Sequence, residues 1–137
     1  MYKVRDTVVI DTSALLAVLL NEPARPALIR ATTGCELVAA PSLPWEVGNA
    51  LVAGFRRRRL SVHAVHEAWS NFAAIPVRLA EIDVDRALGI AISLGLYAYD
   101  GYVLEASRAE RQPLLTLDAA LERAAHRIHL PVLKWQI

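Results

Sequence analysis

Apolar positions along the chain alternate between short β-branched runs and longer segments with helical spacing. Residues 4–10, ending in "TVVI", read as a buried strand. Residues 13–20 follow, apolar on every side beyond Ser13, and predict a deeply covered helix that stops near "NEP". A second helix is expected over residues 24–32, closed by Gly34. "ELVAAP" reads as a short strand stopped by Pro41. The long helix expected over residues 43–58 carries Pro44 in its first turn, where a missing N–H costs nothing. Ser61 suits the cap of a helix running to Ala74, and "IPVRLAEI" is extended or a poor strand. "DVDRALGIAISLG" has acids at its start and Gly95 at its end, as a helix should. Helices over residues 100–109 and 118–127 flank the strand "PLLTL", and "PVLKW" is the expected last strand. Strands alternating with helices predict an α/β domain built on a small, mostly parallel sheet flanked by helices. No repeat, linker or low-complexity tract divides residues 1–137, so a single domain is expected.

Carboxylates interrupt this pattern at four comparable places: Asp11 in "VVIDTS", Glu46 in "PSLPWEVGNAL", Asp100 in "YAYDGYVLEAS" and Asp118 in "LLTLDAAL". Each has a plain reading. Asp11, Asp100 and Asp118 suit helix N-caps, and Glu46 suits the positive end of a helix dipole. Glu46 stands four residues after Ser42, one too many for a capping box. A parallel sheet, however, places its site beyond the carboxyl ends of its strands, where Asp11 and Asp118 fall. Four carboxylates gathered there would repel one another. A hard divalent cation relieves that repulsion, and all-oxygen ligands suit Mg²⁺ or Mn²⁺. An ion held this way can activate water for phosphoryl displacement.

These segments together resemble the PIN-domain ribonucleases, and among them the VapC-type toxins of bacterial toxin–antitoxin pairs. The resemblance spans nearly the whole chain. It is carried by Asp11 and Ser13 in "VIDTSALLAVLLNEP", Glu46 and Asn49 in "PSLPWEVGNAL", Asp100 in "YDGYVLEAS", and Thr116 and Asp118 in "LLTLD". It implies a three-layer fold and a Mg²⁺- or Mn²⁺-dependent endoribonuclease. It also implies a cognate antitoxin and a homodimer. Asp11 and Asp100 would be direct metal ligands, with Glu46 and Asp118 completing the site directly or through water. Ser13 and Thr116 would hydrogen-bond those carboxylates or a ligated water. Backbone bonding at a helix start or strand end is their plainer role. The resemblance leaves open a catalytically silent PIN-like binding module, which would neither bind Mn²⁺ nor cut RNA.

Composition narrows the remaining choices. A net charge of +1 gives no strong global field, so a polyanion must be met by local clusters. The best is "RRRR", residues 56–59, which reads either as a phosphate track or, more plainly, as charge opposing the helix dipole. The lone Cys35 excludes a disulfide framework and a cysteine zinc site. His63, His66, His126 and His129 show no catalytic or metal spacing. Trp45, Trp69, Trp135, Tyr97, Tyr99 and Tyr102 suit core or interface better than base stacking. With 55% hydrophobic residues and a mean hydropathy of +0.31, the chain is apolar enough to expect partner-covered surface. The helix "ALLAVLL" and its successor are the expected groove for an amphipathic antitoxin segment. No signal peptide or membrane span is legible, so a cytoplasmic location is expected. A haloacid-dehalogenase-type phosphatase would need an acid where Ser13 stands. A phosphate-accepting receiver domain is superficially matched by Lys134 near the last strand, but its acidic pair before the first helix is missing and Asp11 stands alone.

Overall fold

A computed structural model describes residues 6–136. Four strands form its sheet: β1 (Thr7–Ile10), β2 (Glu36–Ala39), β3 (Val77–Leu79) and β4 (Leu114–Leu115). They lie in the order β3-β2-β1-β4, and every pairing is parallel. Seven helices connect them among the described residues: α1 (Thr12–Leu19), α2 (Arg25–Thr32), α3 (Leu43–Arg56), α4 (Val62–Ala74), α5 (Val84–Leu94), α6 (Ala98–Glu110) and α7 (Ala119–Arg127).

The strand period of two sorts side chains onto two cores. Val8 and Ile10 face one side, where Leu15, Leu28, Leu43, Val47, Leu51 and Ala68 bring in α1 to α4. Val9 and Val38 face the other, against Leu104 and Ala106 of α6 and Leu121 and Ala125 of α7. The result is three layers, with β1 buried on both faces. No residue of α1 is fully exposed, in keeping with its all-round apolar sequence. β1 pairs with β2 on one side and β4 on the other. The chain therefore reverses its winding between β1 and β4, the topological switch point that opens a crevice at the carboxyl edge.

Several boundaries differ from the sequence reading. The start of the first strand at Val4 lies outside the described residues. The last strand, "PVLKW", is reduced to a single bridge between Leu114 and Val132. Pro131 brings no N–H there, and β4 is only two residues long. Helix α6 begins at Ala98, so Asp100 is not its cap; Tyr97 holds that place without a side-chain bond. Gly95, at φ +70°, ends α5, and only Leu96 and Tyr97 separate it from the next helix. Helix α3 stops at Arg56 rather than Arg58. Arg58 turns left-handed at φ 59°, and the N–H groups of Arg58 and Arg59 return to the carbonyls of Phe55 and Gly54. Leu60 packs so closely over Gly54 that a Cβ there would meet its Cδ1 at 2.7 Å. Among the aromatics, Trp45, Trp69, Tyr97 and Tyr99 are exposed and belong to neither core. The exposed large apolar side chains gather on α3, α4 and α5 rather than on α1. No single helix among the described residues is long and apolar enough to cross a membrane.

Candidate active site

Asp11 follows β1 directly and is the N-cap of α1, accepting a hydrogen bond from the N–H of Ala14 at 3.0 Å. Only 5% of Asp11 is exposed. A carboxylate so deep needs several donors. The Ser13 hydroxyl donates to both of its oxygens, at 2.8 and 2.9 Å, and Thr116 Oγ1 donates to Oδ2 at 2.5 Å. Thr116 is itself buried just past β4, and its Oγ1 accepts from the N–H of Asp118 at 2.9 Å. Ser13 Oγ accepts from the N–H of Leu117 at 3.0 Å. These bonds tie the ends of β1 and β4 together across the switch point.

Asp118 caps α7, accepting from the N–H groups of Ala120 and Leu121. Glu46 sits in the first turn of α3, where Ser42 Oγ donates to its Oε2 at 2.6 Å. Ser42 therefore spends its hydroxyl on Glu46 and makes no backbone cap. Asp100 lies in the first turn of α6, and its carboxylate makes no side-chain hydrogen bond among the described residues.

Electrostatics couples the four positions. Burial pushes the Asp11 carboxyl above its ordinary value, against the pull of its Thr116, Ala14 and Ser13 bonds, and the charge of Asp118 adds to the rise. Burial also raises Glu46, and the charges of Asp11 and Asp100 raise it further. Asp100 is raised by burial, then by Asp118 and Asp11. Each of the three thus senses at least one other acid of the group. The Thr12 hydroxyl lies near enough to Glu46 to favour its ionised form, yet it makes no hydrogen bond of ordinary geometry. Thr12 Oγ1 is consequently buried without a partner, the one such side-chain atom among the described residues. A cavity of about 260 Å³ opens here, lined by Thr12, Trp45, Glu46, Asn49 and Tyr99. Of the four acids only Glu46 lines it. Among the described residues, no three His, Cys, Asp or Glu side chains stand close enough to enclose a metal ion.

Sequence reasoning missed Thr12 and Ser42, both within "DTS" and "PSLPWE" beside acids it had singled out. It also missed Glu105, fully buried on α6, which receives the Arg108 guanidinium and the Asp83 N–H. Glu105 fastens α6 to the start of α5. His63 and His126 make only surface pairs with Glu67 and Glu122. The arginine turn after α3 lines a second cavity, of about 590 Å³, with Phe55, Leu60 and Ser61. None of Arg56, Arg57, Arg58 and Arg59 has an ion-pair partner among the described residues.

Residues 8–127 match the PIN domain family, and the chain belongs to it. Its solved structural neighbours share the fold at low identity. PAE2754 from Pyrobaculum aerophilum is 22% identical, with TM-score 0.67, over 87% of this chain and 79% of that one. VapC20 of Mycobacterium tuberculosis, a sarcin–ricin loop cleaving toxin, is 15% identical, with TM-score 0.63, over 85% and 94%. A toxin–antitoxin complex from Klebsiella pneumoniae contains a chain 16% identical, with TM-score 0.54, over 81% and 86%. No curated protein matches the sequence.

Proposed function

We propose that the chain is a divalent-metal-dependent endoribonuclease and the toxin of a toxin–antitoxin pair, acting in the cytoplasm. The observation that carries the reading is the hydrogen-bond network joining Asp11, Ser13, Thr116 and Asp118 at the switch point of a PIN domain, with Glu46 and Asp100 near enough to feel the Asp11 charge. The donor chemistry fits a hard cation. All four groups offer oxygen, three are raised toward protonation by burial and then by one another's charge, and Thr12 Oγ1 is a buried oxygen without a partner. Asp11 and Asp100 would hold Mg²⁺ or Mn²⁺, with Glu46 and Asp118 joining directly or through water. Their spacing favours water, since Mg²⁺ keeps several of its own. The chemistry supplied by that ion when bound is activation of water and neutralisation of charge on the phosphodiester.

The chain's own residues do the rest. Ser13, Thr116 and the Ala14 N–H fix the orientation of Asp11 and favour its charged form. Ser42 does the same for Glu46. Glu46, half-buried and raised, is suited to hold or accept the proton of an attacking water. The unpaired arginines at the far end of α3, roughly 15 Å from Glu46, offer charge to flanking phosphates. The neighbouring toxin–antitoxin complex supports a protein antitoxin as partner, and the exposed apolar side chains of α3, α4 and α5 offer area for it and for a second copy of the chain.

The test is cleavage of RNA by the purified chain with Mn²⁺, with and without chelator. Metal-dependent cleavage that disappears in Asp11→Asn and Asp100→Asn, both still folded by circular dichroism, is the expected result. Cleavage insensitive to chelator would remove the metal centre. The competing reading is a catalytically silent PIN-like binding module. It draws on the spacing of the acids, no three of which approach closely enough to enclose an ion. It predicts neither Mn²⁺ binding nor cleavage.

A further inference from the structure

Two of the four acids are preceded in sequence by an aromatic residue that the fold leaves in solvent. Trp45, before Glu46, is 76% exposed, and Tyr99, before Asp100, is 56% exposed. Both line the 260 Å³ cavity beside the acids, together with Asn49 and Thr12. Neither exposure is a by-product of core packing. Trp45 belongs to neither core, although α3 buries Leu43, Val47 and Leu51 on its other face. Tyr99 meets Tyr102 edge-on, with ring centroids 5.8 Å apart and planes at 83°. The Asn49 amide lies one turn after Trp45 and has no hydrogen-bond partner among the described residues. It carries both donors and an acceptor.

We infer that this cavity is a nucleobase subsite, in which Trp45 and Tyr99 stack on the base of a nucleotide beside the cleaved bond and Asn49 reads its polar edge. The inference rests on the ribonuclease reading and names the part of the substrate that reading leaves open. The cavity's chemistry selects this occupant. At about 260 Å³ it falls below the ~300 Å³ at which pockets for larger ligands begin, which suits one planar group. Single-stranded RNA presents unstacked bases that dock on aromatic faces and are read by amides along their edges. Phosphate is excluded as the main occupant, since Glu46 lines the wall and no cation does. Trp45 and Tyr99 are therefore binding residues, and their contribution belongs to KM and to base preference.

The test uses Asp11→Asn, which removes one charge that repels RNA, titrated with hexaribonucleotides of adenine, cytosine, guanine and uracil and followed by tryptophan fluorescence. Quenching is expected, and it should vanish when Trp45→Phe is added while binding followed by a labelled RNA persists. Trp45→Ala should weaken binding roughly 5- to 150-fold, the range of a single base–aromatic stack. Asn49→Ala should level the affinities for the four bases. Trp45 is so exposed that these variants should fold as the parent does. Absence of quenching, quenching that survives Trp45→Phe, or unchanged affinity in Trp45→Ala overturns the inference. So does Trp45→Ala altering the oligomeric state while RNA affinity stays the same, because a second copy of the chain would then be what covers it. Cleavage by the parent chain is a separate readout. Quenching without cleavage removes the nuclease reading and keeps the subsite; cleavage without quenching does the reverse.

Discussion

Thr116 and Asp11, 105 positions apart in the chain, share a hydrogen bond from the threonine hydroxyl to the aspartate Oδ2 at 2.5 Å. The same hydroxyl accepts from the Asp118 N–H, so one side chain sets the positions of two acids. Replacing Thr116 by valine keeps the shape and removes the hydroxyl. The buried Asp11 oxygen then loses a donor, which should cost about 1–3 kcal/mol of stability. The lost bond was one that favoured the ionised carboxylate, so the Asp11 pKa should rise further. Chemical denaturation of Thr116→Val measures the first effect, and an upward shift of the acid limb of the pH–rate profile measures the second. A variant as stable as the parent would mean that Ser13 and Ala14 alone satisfy Asp11.

Asp11→Asn separates the cap from the site. Asparagine caps a helix about as well as aspartate, and its amide oxygen can still accept from Ala14. It removes one of four coupled charges. The metal-free variant should therefore be no less stable than the metal-free parent, while Mn²⁺-dependent RNA cleavage should be abolished. Thermal unfolding in chelator and a cleavage assay decide the matter together. Lost cleavage with a large loss of stability would make Asp11 chiefly a structural cap.

The raised carboxyls of Asp11, Glu46 and Asp100 have a sign in stability. A carboxyl whose folded pKa exceeds its unfolded value contributes stability that is fully present below the unfolded value. That contribution is lost as pH rises through the folded value. Glu110, lowered by its bond to Arg78, works in the opposite direction, losing its contribution as pH falls. Subtracting Asp11→Asn from the parent cancels Glu110. In chelator, the parent should lose stability relative to Asp11→Asn as pH rises from about 4 toward neutrality. Mn²⁺ should restore the parent at neutral pH, because binding only the folded state stabilises it. A difference between the two that is flat with pH would show that burial of Asp11 is without consequence for folding.

What could be read from the sequence was local. Strand ends and helix starts placed Asp11, Glu46 and Asp118 correctly along the chain, because "VVID", "PSLPWE" and "LTLD" each carry their own turn chemistry. Helix α6 was misplaced at its start because Asp100 looks like a cap, whereas the short connection after Gly95 forces the helix to begin at Ala98. The arginine run was read as the end of the long helix, whereas the chain turns left-handed at Arg58, with Leu60 packed close over Gly54. Long-range partners had no local signal. Nothing near Thr12 announces an unpartnered hydroxyl beside Glu46, and a tryptophan at position 45 scores as apolar whether it points into the core or into solvent. The match to the PIN domain family shows the fold in which these distant pieces lie.

Gly101 joins the fold to Asp100. A Cβ at Gly101 would meet the Ala87 carbonyl oxygen at 2.5 Å and the Ala91 Cβ at 3.0 Å. Helix α6 therefore approaches α5 as closely as backbone allows, and Asp100 is the preceding residue. Gly101→Ala should force the helices apart and cost about 1–3 kcal/mol, despite alanine's better helix propensity. The displaced α6 should also carry Asp100 away from Asp11, lowering activity more than stability alone explains. Denaturant unfolding and cleavage at a temperature where the variant stays folded test both parts. A gain in stability would mean that α5 yields at little cost.

The arginine turn makes a separate prediction about salt. Arg56, Arg58 and Arg59 line one cavity and have no ion-pair partner among the described residues. Arg58 in addition holds a left-handed backbone, φ 59°, where glycine would sit more easily. Charge at that position is thus kept against a local backbone cost. If the turn tracks RNA phosphates, each arginine that meets one should contribute about 0.7 to the slope of log affinity against log salt. Arg56→Gln, Arg58→Gln and Arg59→Gln should each weaken RNA binding without changing base preference, and each should flatten that slope by about this amount. Arg58→Gly is the sharper test. It relieves the backbone while removing the charge, so it should raise the midpoint of thermal unfolding and lower RNA affinity together. Binding isotherms at several salt concentrations, beside a melting curve, measure both. Slopes unchanged in all the glutamine variants would assign the arginines to a solvated helix end, whose charge does no more than oppose the dipole of α3.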